Sequence, residues 1–252
     1  MAHFGYEKVD LWLSPVHYLL DPYHHDDTNN LSQKLRDLNL SVSCLTPSQS
    51  APQAYNLATG DDYSEYVKNY FRQAVYVAHE LDVTKLLITP GWYLLEANQH
   101  SAWTRSVIMC RWLCNFAASY GVTITFEPLL QKPGRLVSSL ADVVRYLSDV
   151  NANNLAVTVD TGTIVRNGEM LQDYLMTLKN SIDYCHFTNY AKSRSGHVAW
   201  QDGELSLKET LAMFEKYGYC GDFCLEYTDS CYDETPAPAF QETMSLIREL
   251  EG

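Results

Sequence analysis

The stretch "VTITFEPL" (122–129) decides the fold reading, because one residue in it does not belong to an apolar strand. Side chains alternate across an extended segment. Val122, Ile124 and Phe126 therefore share one face, and Thr123, Thr125 and Glu127 the other. The first set suits packing under helices. The second is small and polar and suits the interior of a barrel, with a carboxylate at its end. Pro128 follows at once; it has no N–H to donate, so the strand must stop just past Glu127.

The same plan recurs along the chain. Short apolar segments are read as strands at 8–14, 40–47, 85–91, 122–129, 154–162, 182–190 and 222–228, with helical patterns between them. "DDYSEYVKNYFRQAVYVAHELDV" has apolar residues at helical spacing and an acidic start. "SAWTRSVIMCRWLCNFAASYG" runs to Gly121, a helix stop. "SLADVVRYLSDV" and "SLKETLAMFEKYGY" follow suit. Strand and helix in alternation imply a parallel sheet, and seven such units predict an α/β fold, a TIM-type (β/α) barrel. That barrel would have eight strands. The opening "HFGYEKVDLW" reads as the end of a helix, a glycine turn and then a strand, so the first β-strand and most of the first helix are expected to be lacking. With no linker or repeat, residues 1–252 are expected to form a single barrel domain.

Composition narrows the function classes. The chain carries 18 basic and 31 acidic residues, a net charge of −13, which disfavours a phosphate backbone as partner. No apolar run approaches a membrane span, and "MAHFGYEKVD" lacks the pattern of a signal peptide, so no membrane and a cytoplasmic location are expected. The seven cysteines, an odd number without CxxC, are expected to be buried free thiols. "HHDD" at 24–27 is read as a solvated loop rather than a metal site.

Four successive strands end in one ligand-capable residue on the inward face: Glu127, Asp160, His186 and Glu226. Each alone is ordinary: a loop glutamate, a turn aspartate, a core histidine. Together, at one depth where barrel sites are built, they predict a shared site. Three carboxylates and an imidazole cannot converge without compensation, and one divalent cation resolves this. Hard oxygens with one nitrogen favour Mn2+, with Mg2+ or Co2+ tolerated, over a closed zinc site. Four protein donors leave two octahedral positions, which the carbonyl and hydroxyl of a ketose would fit.

These motifs, "ITFEPL", "AVTVDTG", "CHFTNY" and "GDFCLEY", resemble those of the xylose-isomerase-like barrel superfamily of sugar isomerases and epimerases. They are most similar to ketose 3-epimerases of the D-tagatose/D-psicose and fructoselysine kinds. The spacings fit as well: 127 to 160 is 33 residues and 160 to 186 is 26. The resemblance implies that Glu127, Asp160, His186 and Glu226 bind the metal. It further implies that Glu127 and Glu226 act as the catalytic proton-transfer pair on opposite faces of a sugar, through an enediolate. It also implies a homo-oligomer, a dimer first of all. Elementary chemistry agrees, since a metal acidifies a proton next to the carbonyl it polarises, and two flanking carboxylates are what inversion requires.

The chain departs from relatives in its substrate shell. Thr163 stands where several carry a histidine, Pro133 where some carry a second glutamate, and "WQDGE" (200–204) replaces a "PGEG"-like turn. Candidate substrate contacts are Trp92 in "TPGWY", Arg194 and His197 in "KSRSGHVAW", and Arg135 for an anionic group. Two alternatives share the metal core: an inosose-type dehydratase and a non-catalytic metal-binding barrel. The endonuclease IV branch is disfavoured by Thr163 and by the acidic balance.

Overall fold

A computed structural model describes residues 1–49 and 55–251 of the chain. Seven parallel strands form one sheet in sequence order. They are β1 (Lys8–Leu13), β2 (Ser41–Pro47), β3 (Lys85–Ile88), β4 (Thr123–Phe126), β5 (Leu155–Asp160), β6 (Ile182–His186) and β7 (Asp222–Cys224). Eight α-helices are interleaved among the described residues: α1 (Thr28–Asp37), α2 (Asp61–Glu80), α3 (Gln99–Ala118), α4 (Leu140–Val150), α5 (Thr161–Arg166), α6 (Leu171–Leu178), α7 (Leu207–Lys216) and α8 (Ala237–Glu251). The seven expected strands are all present, each shorter than read by one to four residues. The chain opens as read: a 3-10 turn Ala2–Phe4, then Gly5 with φ 96°, then β1.

By internal packing the chain forms two compact units, residues 8–158 and residues 1–7 with 159–252. In the first, β3 and β4 pair Leu86 with Ile124 and Ile88 with Phe126, and β4 and β5 pair Phe126 with Val157. Ile124 and Phe126 are fully buried, and the Phe126 ring meets Tyr146 of α4 edge-on at 5.1 Å. Tyr146 in turn bonds Ser106 of α3 through its hydroxyl at 2.8 Å. On the other face Thr125 and Thr158 exchange a side-chain hydrogen bond of 2.8 Å. The alternation read from "VTITFEPL" is thus realised, with the apolar set under the helices and the threonines opposite.

Local signals set the helix ends. Ser139 and Asp142 form a reciprocal capping box at the start of α4, and Asn151 closes that helix in the left-handed conformation at φ 49°. On α2, Val67, Tyr70, Phe71, Ala74, Val75 and Ala78 make the buried stripe that a 3.6-residue period demands.

In the second unit an aromatic cluster packs behind β6 and β7. Phe187 stacks on Trp200 at 4.2 Å and meets Phe223 at 4.8 Å, and Phe223 meets Phe214 of α7 at 5.0 Å. The N-terminal residues are tied to α8 by Tyr6 Oη donating to Phe240 O at 2.8 Å and by Arg248 donating to Phe4 O at 3.1 Å.

One expectation needs correction. All seven cysteines are free, but only Cys44, Cys110, Cys114 and Cys185 are buried; Cys220 and Cys231 are exposed and Cys224 is intermediate. The reason is position: Cys220 lies in the loop before β7 and Cys231 in a short 3-10 turn, Ser230–Tyr232, after it, neither on a face that packs into the core. The segment 24–27 is largely exposed, as read, and is tied down by side-chain hydrogen bonds. Asp26 accepts from Leu19 N at 2.8 Å and Asp27 caps α1 by accepting from Asn29 N.

Candidate metal centre

Of the four strand-end residues, Asp160 and His186 are the last residues of β5 and β6. Glu127 lies one residue beyond β4, and Glu226 two residues beyond β7. The sequence pattern had all four closing their strands; β4 and β7 stop earlier, β4 ahead of Pro128. Glu127 is buried, and its backbone N–H continues the ladder to Ile88 O at 2.9 Å.

Asp160 is the best-defined member. It is 1% exposed and its two oxygens have different environments. Oδ1 accepts from Thr163 N at 2.7 Å and from Thr188 Oγ1 at 2.6 Å. Asp160 is thereby the N-cap of α5, as an aspartate before Thr-Gly often is. Oδ2 is buried and has no hydrogen-bond partner. Thr188 is the residue that sequence reasoning left out of the site. Its hydroxyl also accepts from Gly162 N at 3.0 Å, while its N–H donates to Thr161 Oγ1 at 2.9 Å. The only signal for it was its place on the inward face two residues after His186.

Ligand atoms of Asp160, His186 and Glu226 lie within 4.8 Å of one another. His186 Nδ1 is 3.6 Å from Glu226 Oε2, with the imidazole buried and the glutamate side chain 42% exposed. The structure brings His197 into this group rather than leaving it in an exposed loop. His197 Nε2 is 3.4 Å from Asp160 Oδ2 and 4.0 Å from Glu226 Oε2. Its loop is fastened to the segment after β7: His197 N donates to Thr228 Oγ1 at 2.9 Å, and Thr228 N and Asp229 N both donate to His197 O. A Cβ on Gly196 would fall 2.3 Å from Asp229 N, so only glycine permits this approach. Asp229 Oδ2 accepts from Gly196 N at 3.3 Å. Hydrogen bonds from Cys231, then from Gly196, with the nearby Arg194 guanidinium, hold the Asp229 carboxyl below the usual carboxylate range.

The remaining predicted contacts fall in two places. Arg194 is half-exposed and lies 3.5 Å from Asp229 Oδ1, so it braces the loop that carries His197. Trp92 and Arg135 form an isolated backbone bridge in residues 8–158, and Trp92 N donates to Asn56 Oδ1 at 3.1 Å. Arg135 lines a recess of about 480 Å3 with Tyr93, Gln99, Lys132 and Ser138. Burial lowers the Arg135 pKa, and the neighbouring Glu127 carboxylate opposes that shift. At the departures, Thr163 supplies a backbone donor to Asp160, Pro133 is exposed, and Trp200 of "WQDGE" is a core residue donating to Phe187 O at 3.0 Å.

The donors fit a divalent cation. A buried carboxylate oxygen without a hydrogen bond, grouped with an imidazole and a second carboxylate, is a donor set of the kind such an ion takes.

A profile of xylose isomerase-like TIM barrels matches residues 1–250. The chain belongs to that family. Among the described residues there are seven parallel strands, where a complete barrel of this type has eight. The chain is 20% identical to fructoselysine 3-epimerase of Escherichia coli over 99% of its length and 90% of the relative's. Its fold is similar to that of D-psicose 3-epimerase from Clostridium cellulolyticum, with a TM-score of 0.81 at 18% identity, covering 98% and 90% of the two chains. It is also similar to the probable 3-DHS dehydratase of Bacillus anthracis, with a TM-score of 0.70 at 17% identity over 98% and 90%. No helix among the described residues is long and apolar enough to cross a membrane.

Proposed function

We propose that this chain is a divalent-metal-dependent sugar isomerase or epimerase that acts on a ketose or ketose derivative by proton transfer. The observation that carries this reading is Asp160 Oδ2, a buried oxygen with no hydrogen bond, grouped with His186 and Glu226. Asp160, His186 and Glu226 would hold the ion, and the oxygen-rich set favours Mn2+, with Mg2+ or Co2+ as substitutes. Glu127 is proposed as the fourth ligand. Support comes from the hydrogen-bonded pair Thr125 and Thr158, since Glu127 and Asp160 each follow that pair by two residues on the same strand face.

Bound there, the cation would polarise the substrate carbonyl, acidify the neighbouring C–H and offset the charge that develops on oxygen. The chain's own residues move the proton. Glu226 is partly open to solvent and can exchange a proton with a bound substrate, and Glu127 is assigned the opposite face. One carboxylate removes the proton and the other returns one, to the same carbon for epimerisation or to the neighbouring carbon for isomerisation. Asp160 is anchored by Thr188 and by the N–H of Thr163 in the first turn of α5. Trp92 and Arg135 are proposed to form one wall for the substrate, and Arg194 a contact at the rim.

The likeness to fructoselysine and D-psicose 3-epimerases supports a ketose substrate, and the likeness to a dehydratase keeps loss of water as a competing outcome. The experiment is incubation of the Mn2+-loaded protein with a panel of ketoses, with products followed by 13C NMR and mass. An epimer or aldose of unchanged mass supports the proposal. A product lighter by one water assigns the dehydratase, and no turnover of any sugar by a protein that binds Mn2+ assigns a non-catalytic metal barrel.

A further inference from the structure

We propose that His197 is a further protein donor to the divalent ion, so that the ion takes two imidazoles rather than one. The proposal rests on the metal reading above but uses only groups of residues 159–252. An octahedral ion with bonds of about 2.1–2.2 Å sets neighbouring donors about 3 Å apart and opposite donors about 4.3 Å apart. His197 Nε2 lies 3.4 Å from Asp160 Oδ2 and 4.0 Å from Glu226 Oε2, inside that window with both carboxylates. His186 Nδ1, at 3.6 Å from the same Glu226 oxygen, is inside it too.

Two further observations favour a donor over a passive neighbour. Buried side-chain atoms without a hydrogen bond number three among the described residues, and two of them are Asp160 Oδ2 and His197 Nδ1. With no partner at Nδ1, the ring's polar contacts are the two carboxylates on its Nε2 side. The backbone around His197 is held from both directions, by Thr228 Oγ1 on its N–H and by two N–H groups on its carbonyl, so the ring is positioned before any ion arrives. The ring is also reached by no strand: it comes from the loop after β6, which is why strand periodicity alone pointed to His186 and not to His197. With Glu127 as proposed, five protein donors would leave one octahedral position for a substrate oxygen.

The alternative is a protonated His197 that pairs with the two carboxylates and binds no metal. Co2+ separates the two, because imidazole N–H protons on a Co2+-bound ring are strongly shifted in the 1H NMR spectrum. The protein is loaded with one equivalent of Co2+, and shifted exchangeable signals are counted in the wild type and in His197→Gln. Burial of Nδ1 slows exchange of its proton and favours its detection. Two signals in the wild type and one in the variant are expected, with Mn2+ affinity at least tenfold weaker in the variant. One shifted signal in a Co2+-loaded wild type, unchanged in His197→Gln, overturns this proposal and leaves the metal reading standing. No bound Co2+ in a folded wild type overturns both.

Discussion

Thr188 is the most informative residue to perturb, because it is buried, uncharged and outside the proposed chemistry. Its hydroxyl donates to Asp160 Oδ1 at 2.6 Å and accepts from Gly162 N at 3.0 Å. Thr188→Val keeps the side chain's shape and removes both interactions without opening a cavity. A hydrogen bond to a charged group contributes about 1.5–3 kcal/mol net, and an orphaned buried N–H costs about 1–3 kcal/mol. Partial relaxation of the α5 turn offsets some of this, so a loss of about 3 kcal/mol is expected, or about 6 °C in Tm for a chain of this length. The same change frees Asp160 to rotate. Outer partners of a ligand are worth about 10–100-fold in metal affinity, so Mn2+ binding should weaken by that factor. Thr188→Ser, which keeps the hydroxyl and loses a methyl, should cost about 1 kcal/mol and leave affinity unchanged within about twofold. Denaturant unfolding and calorimetric titration with Mn2+ read the two effects. A valine variant that matches wild type in both, or a serine variant that falls as far as valine, would refute the assignment of Oδ1 as the anchored oxygen.

Other predictions follow from local features. Ser139→Ala removes the α4 capping box and should lower stability by about 1 kcal/mol in urea unfolding with no effect on Mn2+ affinity; an unchanged midpoint counts against the cap. Asp229 has a folded-state pKa below its unfolded value, so it stabilises the fold at neutral pH, and this is lost as the pH falls below about 4. Asp229→Asn should therefore be less stable than wild type at pH 7, with the gap narrowing as the pH falls below about 4; a gap of constant size down that range contradicts the carboxylate's role. Arg135→Met should raise KM by about tenfold while kcat stays within a few-fold, since the proposed contact is to substrate and not to the reacting carbon. A large fall in kcat with constant KM would place Arg135 in the chemistry instead.

The sequence made the strand order and the inward column legible for a simple reason: a period of two survives in "VTITFEPL" and "LAVTVD" because one face must pack under helices. The exact strand ends were not legible. Glu226 lies past a three-residue β7, and nothing in "DFCLEYT" marks where pairing with β6 stops. Asp160 was readable both as a helix cap and as a ligand, and the structure separates the two by oxygen: Oδ1 caps and Oδ2 stays open. Loop geometry was the hardest part. Only the folded loop shows that Arg194 lies beside Asp229 and that Gly196 lets His197 reach the carboxylates. Such contacts join residues 29 to 37 positions apart, which no local pattern encodes.

The central claim is a metal-dependent proton transfer at Asp160, His186 and Glu226. Its most direct measurement is solvent deuterium wash-in at the carbon next to the carbonyl of a ketose, followed by 1H NMR. Wild type should exchange that proton with Mn2+, lose exchange when the metal is chelated and regain it on re-addition, while folded Glu226→Gln should fail to exchange under any of these conditions. Exchange that continues in the chelated enzyme or in the Glu226→Gln variant would contradict the account.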